Sequence, residues 1–437
     1  MKNKIILPIL LLILISVFFF ASKYAQKKKE KISYLQNKII NLEIEKNNVP
    51  EQLGNLPFYF FKKKEINFIN QKFFLTSYKT DFLNFTKGLG GFGSSYIDIF
   101  DNNLYLVTAN GIITTTNISN FNNKKFEMNI VKNNLKEILN QRLMFKDFAY
   151  GIKDILISNN KIYLSFTDEI KKDCFNLSIL EADISQKKIK FIYFFKPDTC
   201  IKRNIEDFFS LHHAGGKLID FDYNNIVFSI GEFRSRGLAQ DPKSINGKIL
   251  KIEKDSKKIK VLSMGHRNVQ GLFFDKESNF IYASEHGPQG GDEINIIKDL
   301  TKIANFGWPI SSYGEHYGYP KKDNSKIYKI APLKKSHKMH GFIEPYIFYN
   351  PSIGISELII LKILNEKILI VSALGYDASE GDMSLHLFKF NNNNLSKYKI
   401  IPLEERVRDM IYLAEKKIII LFLESSASIG VIKLKWQ

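Results

Sequence analysis

From residue 90 onward the chain is a succession of short apolar, β-rich runs that come in pairs, each pair interrupted by a polar turn. Tyr96–Phe100 and Leu104–Val107 flank Asp101-Asn102-Asn103, and Ile155–Ile157 and Ile162–Phe166 flank Asn159-Asn160. Leu218–Phe221 and Ile226–Ile230 flank Asn224-Asn225, and Leu272–Phe274 and Ile281–Ser284 flank a Lys-Glu-Ser-Asn turn. Leu358–Leu361 and Ile368–Val371 flank Asn365-Glu366, and Met410–Leu413 and Ile418–Leu423 flank Glu415-Lys416. The second strands begin at residues 104, 162, 226, 281, 368 and 418, so the period is mostly about 50–65 residues. Hairpin pairs at such a period mark blades that cannot bury both faces alone and must stack around an axis. The spacing predicts an all-β fold, a six-bladed β-propeller; a pair of packed β-sandwiches is the rival. The one long gap holds Glu285–Tyr346, a polar segment rich in Gly, Pro, His, Asp and Glu that reads as a functional loop on a rigid scaffold.

Composition narrows the partners. The 437 residues are 44% hydrophobic, which permits a substantial core and excludes a mainly disordered chain. The formal charge of +18 suits nucleic acid, an anionic membrane surface or an anionic cofactor. No basic run with interleaved aromatics, zinc-finger spacing or RNA-binding motif is present, which argues against nucleic acid.

The first 54 residues stand apart. Lys2 and Lys4 precede an apolar run from Ile5 to Ala21, just long enough to cross a bilayer core of roughly 30 Å. The reading is a signal anchor over 1–24, with the rest of the chain on the periplasmic or other extracytoplasmic face. Alternatives are a cleaved signal peptide with secretion, and a buried core helix; the lysines after the run leave orientation open. Ile32, Leu35, Ile39 and Leu42 form a short heptad seam in a segment, 25–54, that reads as a helical stalk or linker. The seam either rests on the globular part or dimerises the stalk. The propeller then occupies 55–437. Two cysteines exclude a disulfide scaffold, but Cys174 and Cys200 bracket two β-like runs. A hairpin there brings the sulfurs within bonding reach, which requires an oxidising compartment; two buried free thiols are the alternative.

The chemistry-bearing residues are concentrated. They run His212-His213-Ala214-Gly215-Gly216-Lys217, Gly265-His266-Arg267-Asn268-Val269-Gln270-Gly271, Glu285-His286-Gly287-Pro288-Gln289-Gly290-Gly291-Asp292-Glu293, Asn305-Phe306-Gly307-Trp308-Pro309 and Glu405-Arg406-Val407-Arg408-Asp409. In order, spacing and wording this set resembles the glucose/sorbosone dehydrogenase family, more narrowly its soluble aldose dehydrogenases that use pyrroloquinoline quinone (PQQ). The resemblance covers about residues 85–435 and implies a six-bladed propeller.

Removing a hydroxyl proton from a sugar needs a base near neutral pKa, which suits histidine. The resemblance makes His213 that base, and His212 stands where relatives often carry an acid. A quinone with carboxylates gains negative charge on reduction, so cationic donors stabilise it. Arg267 and Asn268 match that role. Arg406 and Arg408 alternate along a strand start and share one face, where planar forks suit carboxylates; Tyr317 matches a tyrosine flanking the cofactor. The resemblance also implies Ca2+, held by carbonyls of Gly287 and Pro288 and bridging to the cofactor. Asp292 and Glu293 match the acidic pair beside it, Glu293 at a second, structural calcium, and Phe306 matches a residue coordinating through its backbone oxygen. On residue type alone His213 could be structural, the arginines solvated surface charge, and Asp292 and Glu293 turn caps.

Three positions depart from the pattern. Leu89 stands where relatives often have glutamine, Gly375 where they carry a cofactor-binding lysine (Lys389 is too far along to replace it), and Asn350 where some carry an aromatic residue. The expected function is PQQ- and calcium-dependent oxidation of an aldose at C1 to its lactone, with an unspecified electron acceptor. The alternative is a non-catalytic propeller that binds sugar or a protein partner.

Overall fold

The structure, a computed structural model, describes residues 21–39, 42, 53–69, 71–80, 94–186, 188–203, 209–317, 325–363, 366–375, 382–391 and 394–434. The chain divides into Met1–Val49 and Pro50–Gln437. In the first unit residues 21–39 are helical, with Ile32, Leu35 and Ile39 exposed. Among the described residues no helix is long and apolar enough to cross a membrane. The apolar run from Ile5 lies outside them except for Ala21, as does Leu89.

All six hairpins form. Where Asp101-Asn102 and Asn159-Asn160 turn the chain, both residues of each pair have positive φ. Asn and Asp tolerate that conformation, and it matches the right-handed twist of the flanking strands. Each hairpin begins an antiparallel run of four strands, to which the second sheet adds Ile201–Lys202 and the third adds Ala304–Asn305 in parallel. The second sheet is Ile152–Ser158, Lys161–Lys171, Cys174–Asp183 and Ile192–Phe195. The third runs from Gly215–Asp222 through Asn225–Ile230 and Lys248–Glu253 to Ile259–Met264. The fourth takes Val269–Asp275, Phe280–Glu285, Asp292–Ile297 and Ile347–Tyr349; the fifth spans Ile355–Ile363 to Asn394–Pro402. The long polar segment is therefore only partly loop, because Asp292–Ile297 is a fully buried sheet strand inside it.

The first and last sheets close on each other through a hairpin that the repeat did not announce. Val407–Leu413, Ile418–Leu423 and Ser428–Lys433 take Gln71–Lys79 as their fourth strand. Asn55–Phe68 then joins that strand to Lys125–Ile130 of the first sheet, giving nine continuous strands. The first strands of the sheets form a ring. Each packs on the next, from Ser95–Phe100 through to Val407–Leu413, which packs back on Ser95–Phe100. Apolar side chains fill the space between neighbouring sheets, as where Leu361, Ile370 and Leu387 meet Met410, Ile419 and Leu421. Each such side chain contributes roughly 1.5–3 kcal/mol on burial.

Five of these inner strands carry a β-bulge near their start. Each inserts one extra residue against its partner strand, at Lys153, Gly216-Lys217, Gln270, Ser356-Glu357 and Arg408. A bulge breaks the alternation of side chains and re-aims one of them. Ser229 lies opposite one bulge, and its Oγ accepts from the backbone N–H of Gly216 at 3.2 Å and of Lys217 at 3.0 Å. Carboxylates then tie one inner strand to the next. Asp98 accepts from Ile157 N at 2.5 Å, Asp154 from Leu218 N at 2.7 Å, and Asp409 from Ile97 N at 2.7 Å. Lys217 sits at the centre. Its Nζ lies 3.1 Å from both Asp154 and Asp409 and also contacts Glu357.

The sulfurs of Cys174 and Cys200 are bonded, with Cα atoms 5.4 Å apart. Ile201 pairs with Phe175 and Lys202 with Cys174, so the returning chain continues beside the strand. Closing this 26-residue loop stabilises the fold by about 3 kcal/mol on loop-entropy grounds. The expected result is no titratable thiol in protein from its native compartment. Reduction is expected to lower the urea midpoint; equal midpoints with and without reductant would refute the contribution.

Candidate active site

Residues that begin the inner strands, and residues that end the second strands, lie at the same end of an antiparallel pair. This geometry gathers His213, Arg267, Arg406 and Arg408 around one cavity of about 340 Å³. Asn268, Gly287 and Tyr317 line it too, together with His286, which the motif contains without a role, and Lys153 and Glu424, which no motif contains.

His213 ends a short 3-10 turn, Leu211–His213, just before the third inner strand. Its Nδ1 lies 2.8 Å from Oε1 of Glu232, and its Nε2 lies 3.1 Å from Nη2 of Arg267. A guanidinium only donates, so Nε2 carries the lone pair and Nδ1 carries the proton toward Glu232. Burial, then Arg267, Arg234 and Arg236, hold this imidazole well below the usual histidine range. It is a neutral base with a fixed tautomer. Glu232 is fully buried, and it reaches His213 because Gly231 precedes it. A Cβ on Gly231 would fall 2.1 Å from the carbonyl oxygen of His213. The sequence carried the pair only as two separated polar residues; a buried carboxylate at the end of a strand, after a glycine, is the signal that would have found Glu232.

Arg267 is held over the indole of Trp308, 5.5 Å from the ring, and donates to the carbonyl of His286 at 2.9 Å. Arg406 and Arg408 do share a face. Both pair with the buried Glu424, Arg406 Nε at 3.0 Å and Arg408 Nε at 2.9 Å. Arg406 also donates to the carbonyls of Leu374, at 3.2 Å, and Gly375. Lys389 is remote from this arrangement, paired with Glu366 at 2.8 Å. Asn268 holds the site together more than it offers itself to a ligand. Its Oδ1 accepts from Gly215 N at 2.9 Å and from Gln270 at 3.1 Å, and its Nδ2 donates to the carbonyl of His212 at 3.0 Å. His212 also lines the cavity; it is half exposed and its Nε2 lies 3.2 Å from Asp147.

The residues expected to hold metal separate into two groups. Gly287 lines the cavity, and the carbonyl of Pro288 next to it accepts from Ser352 at 3.2 Å while keeping a second lone pair. Asp292 departs from the expectation. Its carboxylate accepts from Gly287 N at 2.9 Å and from Ile353 N and Ile355 N at 3.0 Å each, so it ties the fourth sheet to the fifth. Glu293 and Phe306 depart as well. The buried imidazole of His337 stands between them, its Nδ1 donating to the carbonyl of Phe306 at 2.7 Å and its Nε2 lying 3.4 Å from Glu293. Burial and then Glu285 push the Glu293 carboxyl well above the ordinary glutamate value. An uncharged ring fills the gap that a structural cation would need, so these two residues do not fit a calcium here. The cavity's own donor set fits a molecule with several carboxylates, since guanidiniums enter from two sheets and an ammonium from a third.

The family model for Glucose / Sorbosone dehydrogenase matches residues 121–429. Aldose sugar dehydrogenase YliI of Escherichia coli strain K12 is 31% identical over 159 residues, 33% of this chain and 39% of that protein; the chain thus spans well under half of this relative in the match. The crystal structure of the soluble aldose sugar dehydrogenase of Escherichia coli in its apo form superposes with a TM-score of 0.58 at 18% identity, covering 78% of this chain and 95% of that one. The PQQ-bound aldose sugar dehydrogenase of Streptomyces coelicolor gives 0.52 at 18% identity, covering 79% and 97%. These solved structures share the fold, a β-propeller-like ring. With the family model matching more than half of its length, the chain belongs to the glucose/sorbosone dehydrogenase family.

Proposed function

We propose that this chain oxidises an aldose at its anomeric carbon to the lactone, with PQQ as cofactor, and that its ring of sheets is a six-bladed propeller. The observation that carries the reading is His213: a neutral imidazole, tautomer set by Glu232, on the wall of a cationic cavity. When bound, the quinone would accept the hydride leaving the sugar carbon. Nε2 of His213 takes the hydroxyl proton, and Glu232 stabilises the imidazolium that results. Arg267 must release Nε2 first, and an anion in the cavity gives its guanidinium another partner. Arg406 and Arg408, oriented by Glu424, and Arg267 would receive the cofactor's carboxylates. Tyr317 at the rim would cover it. Calcium would take the carbonyls of Gly287 and Pro288.

The Cys174–Cys200 bond supports an oxidising, extracytoplasmic location, with the apolar run from Ile5 as the membrane anchor or export signal. A separate acceptor would reoxidise the cofactor.

A non-catalytic anion-binding propeller is the second reading, and the Arg267–His213 hydrogen bond favours it, because that bond occupies the lone pair of the base. Titration of the purified protein with PQQ and calcium, followed by an aldose panel, separates the two. Saturable absorbance change and sugar-dependent dye reduction are expected. Saturable binding without turnover on any aldose would select the second reading, and no absorbance change would remove PQQ from both.

A further inference from the structure

We propose that Lys153 is a carboxylate-receiving ammonium of this cavity, a binding residue contributed by the second sheet opposite the arginines. The proposal rests on the reading of the cavity as an anion site, and three independent observations carry it.

The backbone aims the side chain. Lys153 is the extra residue of the bulge between Ile152 and Asp154, where Ile152 pairs with Phe166 and Asp154 with Ser165. Its neighbour Asp154 points to the central Lys217, while Lys153 lines the cavity. The stem is also held. Gly216 has a φ of +113°, and a Cβ there would fall 2.4 Å from Cβ and 2.9 Å from Cγ of Lys153. The missing side chain of Gly216 is the groove in which the lysine lies. Finally, the ammonium has no carboxylate in direct contact: among the described residues Lys153 has neither an ion pair nor a side-chain hydrogen bond, whereas Arg406 and Arg408 share Glu424. The charges facing it are Arg408, from the sixth sheet, and Asp147, which is committed to His212 at 3.2 Å.

A half-buried lysine without a paired carboxylate is unfavourable in the free protein, and loss of solvent moves it down to about 7 despite Asp147. An incoming carboxylate restores its charge and removes that penalty. The carboxylate has two possible sources, the quinone cofactor or an acidic sugar such as a uronic acid.

The test uses the full chain, with PQQ and glucuronate as probes. Absorbance titration is expected to show PQQ binding weakened ten- to a hundredfold in K153M, whose unbranched side chain keeps the packing on Gly216, and kept within threefold in K153R. In parallel, acylation of Lys153 by an amine-selective reagent is followed by mass spectrometry. Protection by PQQ but not glucuronate assigns the ammonium to the cofactor, and protection by glucuronate assigns it to the substrate. If wild type binds no PQQ, the proposed cofactor falls, and protection by glucuronate alone then decides for or against Lys153. Wild-type PQQ affinity in K153M, with acylation unchanged by either probe, would overturn the proposal and leave the reading of the cofactor standing.

Discussion

Alanine at position 213 is expected to lower kcat for sugar-dependent dye reduction by about a thousandfold, the usual worth of a positioned general base. PQQ affinity should change little, because the carboxylate-binding arginines are left in place. Glu232→Gln keeps the shape of the pocket but removes the charge that stabilises the imidazolium, and should lower kcat by about a hundredfold. The pH profile offers a separate check. A base whose pKa is depressed stays unprotonated, and therefore active, as pH falls through the usual histidine range. The acid limb of kcat/KM should accordingly lie well below pH 6.5, the ordinary histidine value. Near-wild-type turnover in H213A would reject the base, and an acid limb at the ordinary histidine value would reject the environment described for it.

Lys217→Met is expected to be the most destabilising single change in the central ring, at about 3–5 kcal/mol in urea unfolding, because it strands buried carboxylates without their cation. Burial alone would lower this ammonium, but Asp154, Asp409 and Glu357 together raise it well above the ordinary lysine value. The carboxylates are already strained toward protonation. Burial raises Asp154 and Asp98 to about 7 and holds Glu357 well above the glutamate range. Without Nζ they can stay buried only by binding protons, and protons are more available in acid. The deficit relative to wild type should therefore shrink from pH 8 to pH 5. A deficit that is constant or grows on acidification would show that the lysine acts through packing rather than charge.

Much of this molecule could be read from its sequence because local chemistry and global fold agree. The six hairpins were legible since short polar turns interrupt paired apolar runs, and at Asp101-Asn102 and Asn159-Asn160 the positive φ is one that Asp and Asn tolerate. The convergence of His213, Arg267, Arg406 and Arg408 was legible because each precedes or begins an inner strand. What escaped depends on pairing between strands and loops rather than on a residue's own neighbours in sequence. Lys153 was invisible because a bulge, not alternation, aims it, and a bulge is set by the partner strand. Glu232 acts through a contact with His213 at the open end of one strand pair, and His337 through a contact between loops with Phe306. Asp292 was placed beside the metal by the resemblance, and nothing in its sequence neighbourhood announces the three backbone N–H groups it accepts from, two of which lie some sixty residues on. The hairpin spanning Asn55–Phe68 and Gln71–Lys79 lay before the start of the repeat, and its lysine-rich first strand obscures the alternation.

That N-terminal hairpin sets a constraint on biosynthesis. Leu75 pairs with Ile432, so roughly 350 residues must be synthesised before the strand meets its mate, a wait of about 20–70 s at ordinary elongation rates. Until then Phe73 and Leu75, both buried in the finished molecule, have only their own hairpin against them, as where Phe73 meets Phe68, and lack the side chains of residues 359–434 that complete their cluster. A nascent chain stalled short of its last ten residues would leave the circle open and these side chains available to a holdase or to a neighbouring ribosome's product.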